Sequence, residues 1–287
     1  MDRESVGLIE VFFASLLFGL MPIIVRFGEH LGAYNLSFYR VLVASICVLL
    51  FIKISRKHKL VPFKYEKKKL ILFGAIHGFI ILGYFLAIQY LTIASAVLLL
   101  YSSSIWIVIF SHFILKEKIT KRTFLALGIA FLGVILVVSP ENFFLKESLV
   151  GSLAGLGSGI GMGLVYTLSK TFKKYDKVSL TFYQNIIAIP FVFPLLFIKI
   201  QKFSCLDIGI IILLGSVFTA LPFILIYKGF SKINTQKGSI IIMLDIVFSV
   251  IFAWIIFKES PTFLSIVGGF LIMFATYIIS TKEKEKR

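Results

Sequence analysis

An all-α integral membrane protein, with ten transmembrane helices arranged as two inverted five-helix repeats, is the fold class that this sequence predicts. The first observation is composition: 59% of the 287 residues are hydrophobic, 15% are charged, and mean hydropathy is +0.99. Soluble domains run at about half apolar and a quarter charged. The second is length. Ten mostly apolar runs each reach the ~20 residues with which a helix rising ~1.5 Å per residue crosses a ~30 Å hydrocarbon core. The third is repetition: residues 94–117, ASAVLLLYSSSIWIVIFSHFILKE, return in degraded form at 236–259, QKGSIIIMLDIVFSVIFAWIIFKE. A shift of 142 places Ser103 on Asp245 and Glu117 on Glu259.

Taken in order, the predicted spans are 6–27, 35–54, 70–91, 94–115, 122–139, 149–172, 178–200, 206–230, 236–257 and 261–280. The first admits Glu10 and is long enough to span, so it is read as a retained helix and not a cleaved signal. The fourth and ninth each carry a polar interruption near the centre, Ser102 to Ser104 in one and Asp245 in the other. The sixth is rich in glycine, with Gly151, Gly155, Gly157, Gly159, Gly161 and Gly163. The longest polar interval, 55–69, holds 15 residues, so no soluble domain fits between spans.

The formal net charge of +16 does not indicate a nucleic-acid footprint, because the basic residues form short clusters between apolar runs. It fits lysines and arginines facing an anionic cytoplasmic leaflet. With the N-terminus inside, 24 of the 30 basic residues fall in inner segments and five (Arg26, Lys146, Lys199, Lys202, Lys258) in outer ones, with Arg40 inside a span. Positive-inside bias therefore predicts a multi-pass cell-membrane protein with both termini cytoplasmic. Cys47 and Cys205 are isolated, and the four histidines lack metal-ligand spacing, so no disulfide, metal or cofactor is expected. Lipids and a small-molecule substrate are the expected partners; a homodimer is compatible with the pattern.

The repeat extends beyond the opening pair. Leu36-Ser37-Phe38-Tyr39-Arg40 returns as Leu180-Thr181-Phe182-Tyr183-Gln184 at a shift of 144, which also pairs Gly19 with Gly163 and Arg26 with Lys170. Leu72-Phe73-Gly74 returns as Leu213-Leu214-Gly215 at a shift of 141, and Gly128 recurs as Gly268 or Gly269. Five helices per copy is an odd number, so the second copy enters the membrane inverted. Inverted repeats enclosing a mid-membrane site are a recurrent design of secondary transporters.

These features resemble the EamA family of the drug/metabolite transporter superfamily: ten helices in a five-plus-five repeat, Phe38-Tyr39-Arg40 opening the second span, and Leu115-Lys116-Glu117-Lys118-Ile119-Thr120 closing the fourth. The resemblance covers about residues 6–280 and divides the chain into EamA-like repeats at 1–140 and 141–287. It implies a central cavity lined mainly by spans 1–4 and 6–9, with spans 5 and 10 outside, and alternating access. Where the family often has proline in the middle of spans 4 and 9, this chain has Ser104 and Ile246. Asp245 stands where a glutamate often precedes that proline.

Asp245 is the sharpest candidate for transport chemistry. An ionised carboxylate near mid-membrane costs about 2.5–3.5 kcal/mol on insertion scales, so it should face a cavity, pair with a cation or carry a proton. It then suits proton coupling or a substrate amine; its bland reading is a structural partner for a hydroxyl or for Lys228. Ser103 and Ser104 lie at the mirrored depth, where serine is also an ordinary interhelical contact. Tyr101 and Trp106 flank them, and Tyr166 follows the glycine run. Arg40 suits a substrate carboxylate or an outward anchor, while His77 and Lys228 are weighed against packing and snorkelling. Glu117 and Glu259 read as interfacial pairs or turn formers, and Arg26 and Lys170 as cations complementing helix C-termini.

The function expected is a secondary permease moving a small organic metabolite, an amino acid or related compound. Alternating access is expected, with export and proton coupling as the finer reading. There is no Walker motif and no room for a nucleotide domain, which excludes ATP-driven pumping and leaves the chain a non-enzyme. A lipid-carrier flippase and an intramembrane lipid-modifying enzyme are the alternatives; the latter would need clustered acidic, His or Ser/His groups, which the sequence lacks.

Overall fold

The computed structural model describes residues 2–55, 58, 60–138, 148–197 and 203–281. The predicted ends at Ser139 and Ile200, and the cations Arg56, Lys57, Lys59, Lys146, Lys199, Lys202, Lys282, Lys284, Lys286 and Arg287, lie outside them. The described chain is all helical, with ten helices long and apolar enough to cross a membrane. They are α1 (Arg3–Phe27), α2 (Gly32–Ile54), α3 (Lys67–Tyr90), the broken fourth span α4 (Ile93–Tyr101) and α5 (Ser103–Leu115), and α6 (Lys121–Val138). Then come α7 (Leu149–Thr171), α8 (Lys177–Val192), the eighth span α9 (Cys205–Gly215) and α10 (Leu221–Phe230), the broken ninth span α11 (Thr235–Ile242) and α12 (Leu244–Phe257), and α13 (Phe263–Ser280).

Local chemistry sets these limits. Side chains of Asp2, Thr92, Ser148, Asn234 and Thr262 accept hydrogen bonds from the first-turn amides of α1, α4, α7, α11 and α13. Ser204 and Asp207 form a reciprocal capping box at α9. At the other end, α5 and α12 stop at Lys116 and Lys258, both left-handed (φ 57° and 60°), the conformation that ends a helix and turns the chain. Within the eighth span a π turn, Ser216–Ala220, joins α9 to α10.

An even number of spans puts both ends of the described chain on one side, the termini face; the opposite side is the far face. The helix packing is reciprocal between the halves. α6 packs on α13, α1 on α12 as α7 packs on α5, and α3 on α8 as α9 and the π turn pack on α2. Close contacts repeat at residue level. A Cβ added to Gly19 would stand 2.5 Å from the Phe248 Cβ and 2.8 Å from the Asp245 carbonyl oxygen. One added to Gly163 would stand 2.6 Å from the Trp106 Cβ and 3.1 Å from the Ser103 carbonyl oxygen. Those are the same contacts under the shifts of 144 and 142. Gly7 against Lys232 and Ile233 is matched by Gly151 against Tyr90 and Leu91, and Gly74 against Ile187 by Gly215 against Val43. The glycines at every fourth position of α7 are thus the bed on which the fourth span lies.

Candidate functional site

The fourth and ninth spans break at Ser102 and Met243 without the proline the family pattern carries there. Both residues keep right-handed backbone with ψ near zero (−17° and −12°), and the chain tightens into i→i+3 bonds, Ile105 N to Ser102 O at 2.9 Å and Ile246 N to Met243 O at 3.3 Å. The break puts Asp245 in the first turn of α12, where the N-terminal end of the helix dipole favours a carboxylate. It also puts Tyr101 at the last residue of α4.

The Asp245 carboxyl lies against the Tyr101 hydroxyl and within electrostatic range of Tyr166. Its Oδ1 is buried with no hydrogen-bond partner. Arg40, from α2, reaches Met21 of α1 (Nη1 to Sδ 3.9 Å) and interacts electrostatically with Tyr84 and His77 of α3. Its Nε also lacks a partner. Tyr84 interacts electrostatically with both Arg40 and Tyr101. His77 is 1% exposed, neither ring nitrogen is hydrogen-bonded, and its ring stands edge-on to Phe223 at 5.2 Å. Tyr166, buried, packs on Phe223 and Phe230. Orphaned polar atoms are rare in folded interiors; Asp245 Oδ1, Arg40 Nε and both His77 ring nitrogens are among those found here, as are atoms of Glu10, Gln184, Asn185 and Gln236.

The structure therefore groups Asp245 with Tyr101 and Tyr166, and Arg40 with His77 and Tyr84. The remaining candidates do other things. Ser104 donates to the Ser239 carbonyl of α11 (3.2 Å), and buried Ser103 presents its carbonyl to Gly163. Trp106 stacks on Phe110 at 5.9 Å and covers Gly163 with its Cβ. Lys228 lies towards the termini-face end of α10, and no contact joins it to Asp245 among the described residues. A far-face cavity of about 500 Å3, lined by Ile24, Phe27, His30, Asp207 and Leu213 among others, opens beside α1 and α9.

Sequence reasoning passed over Tyr84, Met21 and Tyr227, and named Gln184 only as the neutral repeat counterpart of Arg40. Tyr227 donates to Gln184 Oε1 (2.5 Å) deep in the other half, at the position the repeat equates with Arg40. The Gln184 Nε2 is buried without a partner, so the position is neutral and only half satisfied. Nothing in the linear pattern distinguishes Tyr84 from the other aromatic residues of α3.

Ten membrane-length helices in two reciprocally packed halves are an architecture shared by many secondary transporters. The chain belongs to the EamA-like transporter family, whose family model matches residues 5–139 and again 149–281. It is 25% identical to the pseudopaline exporter CntI of Pseudomonas aeruginosa over 99% of both chains. It is 27% identical to the S-adenosylmethionine uptake transporter of Rickettsia prowazekii, over 90% of this chain and 86% of that one. A crystal structure of 17% identity covering 96% of each chain superposes with a TM-score of 0.83, which establishes the shared fold.

Proposed function

We propose that the protein is a secondary permease for a small zwitterionic metabolite, an amino acid or a compound with an amino-acid end, carried by alternating access between the repeats 1–140 and 141–287. The observation that carries this reading is the presence of Arg40 and Asp245, of opposite charge, within the spans. Neither group joins an ion pair among the described residues, and each leaves a buried polar atom unused. A substrate carboxylate completes Arg40, and a substrate ammonium completes Asp245, with the Tyr84, Tyr101 and Tyr166 hydroxyls between them. The two named relatives handle metabolites in opposite directions by their descriptions, one an exporter and one an uptake protein, so relatives alone do not set direction. We assign the termini face to the cytoplasm from the positive-inside bias, and export, with proton return through Asp245, as the direction.

The test is flux from proteoliposomes loaded with labelled amino-acid pools. Saturable efflux should fall about tenfold or more in Arg40→Gln and in Asp245→Asn, since a hydrogen bond to a charged group contributes about 1.5–3 kcal/mol. Any dependence on a pH gradient should vanish in Asp245→Asn. Flux that neither substitution changes, or that appears only with lipid-linked substrates, contradicts the reading.

A further inference from the structure

The two faces of the protein are not in equivalent states, and the repeat shows what differs. On the termini face, Lys170 at the end of α7 donates to Glu117 Oε1 and to the Ile233 carbonyl, each at 2.8 Å. Glu117, only 11% exposed, accepts from the Thr235 amide through both carboxylate oxygens (3.1 Å each) and from the Thr235 hydroxyl (3.0 Å). It thereby closes the N-terminus of α11 onto the end of α5. The repeat shifts of 144 and 142 turn Lys170, Glu117, Ile233 and Thr235 into Arg26, Glu259, Leu91 and Ile93. On the far face Arg26 does pair with Glu259, but that carboxylate is 51% exposed and, among the described residues, makes no hydrogen bond to α4.

Burial of the two half-spans follows the same division. In α11 every side chain from Thr235 to Ile242 except Lys237 is buried. In α4, the counterpart, Ile93 is exposed and Ala96 alone is fully buried among the described side chains. α11 packs on α5 and α6, while α4 has no comparable packing on α12 or α13.

We infer that Glu117 and Glu259 are the two jaws of one reciprocal latch, each closing its face by capping the N-terminus of the other repeat's broken span. This inference rests on the alternating-access reading above. In the state described here the Glu117 jaw is shut on Thr235 and the far face is open. In the opposite state Glu117 releases Thr235, Glu259 accepts from the Ile93 amide, and Arg26 reaches the Leu91 carbonyl. A carboxylate at a helix N-terminus is favoured by both the free amides and the helix dipole, so each jaw has a defined seat.

The seats are unequal, which sets the resting state. Thr235 offers a hydroxyl besides its amide, whereas Ile93 offers the amide alone. The termini face also has Lys232–Glu10 and Lys237–Glu4 (2.9 Å), whose repeat equivalents, Tyr90 with Ala154 and Ser95 with Ser148, carry no charge. Closure of the termini face is therefore the better-braced arrangement in the absence of substrate.

Distances between spin labels test this without any substrate, so they succeed or fail independently of the flux assay. In a Cys47→Ser, Cys205→Ser background reconstituted in nanodiscs, one pair is placed at Lys118→Cys and Ser231→Cys. Its repeat equivalent is placed at Ser260→Cys and Gln89→Cys. The otherwise unaltered chain should give a short 118–231 distance and a long 260–89 distance. Glu117→Gln should move the ratio of the two states about tenfold, lengthening the first pair and shortening the second together. Lys170→Met should do the same, and decides the matter if Glu117→Gln does not fold. Glu259→Gln should leave 118–231 short. Distances that Glu117→Gln and Lys170→Met leave unchanged, or that lengthen on both faces at once, overturn the latch.

Discussion

At the residue scale, Arg40 and Asp245 are ionisable groups within spans whose Nε and Oδ1 atoms are buried without a hydrogen-bond partner. Arg40 and Asp245 both cost free energy to hold within spans, and no neighbour among the described residues neutralises either. Under the proposed function, a zwitterionic ligand supplies the charges that complete them. Arg40→Lys keeps the charge but loses the planar fork suited to a carboxylate, so it should raise the concentration for half-maximal flux while leaving folding intact. Radioligand competition and a thermal melt in detergent would separate those effects. Ser104 makes the contrasting case: Ser104→Ala should lower stability by about 1 kcal/mol, the value of its bond to the Ser239 carbonyl, with ligand affinity unchanged. Asp245 and Arg40 stand out in the sequence as polar groups inside apolar runs, and Tyr101 as a neighbour of the serine interruption; their transport roles belong to the proposed function. Ser104 and Trp106 were legible as unusual too, but the sequence could not show which side of the helix each occupies. Tyr84 was hidden among aromatic residues that pack, since its electrostatic interactions are with Arg40 and Tyr101 on other helices.

At the scale of elements, glycine placement decides which helices meet. Gly19 and Gly163 sit where a Cβ would collide with the backbone and side chains of α12 and α5, so Gly19→Ala and Gly163→Ala should each destabilise by about 1–3 kcal/mol. Gly128 and Gly157 have open space around an added Cβ, and alanine there should be neutral or stabilising by up to about 1 kcal/mol through helix propensity. Denaturation in mixed micelles would show the split, and equal effects at all four positions would contradict it. The repeat made the Gly19/Gly163 and Gly74/Gly215 correspondences visible before any coordinates. Which helix each glycine touches was not visible, because a small residue permits close approach without naming the neighbour. Breaks in the fourth and ninth spans went further than the sequence indicated. The proline that would have marked them is missing, and the i→i+3 bonds at Ser102 and Met243 leave no compositional trace.

For the whole molecule, the central claim is a single polar chamber between two reciprocally packed halves, reachable from one face at a time. Ion pairing concentrates on the termini face, where Glu117, Glu10 and Glu4 each hold a lysine from the other half of the chain, and the far face relies on Arg26–Glu259 and His30–Asp207. Raising ionic strength should therefore weaken the exposed far-face pair first and the partly buried Glu117–Lys170 pair least. The most direct test is the reactivity of one cysteine at the chamber, Tyr84→Cys in a Cys47→Ser, Cys205→Ser background, towards a membrane-impermeant maleimide added to either side of oriented vesicles. The account predicts labelling from the far face in the resting protein and a transfer of reactivity to the termini face in Glu117→Gln. Labelling from neither face, or from both faces at once, would contradict it.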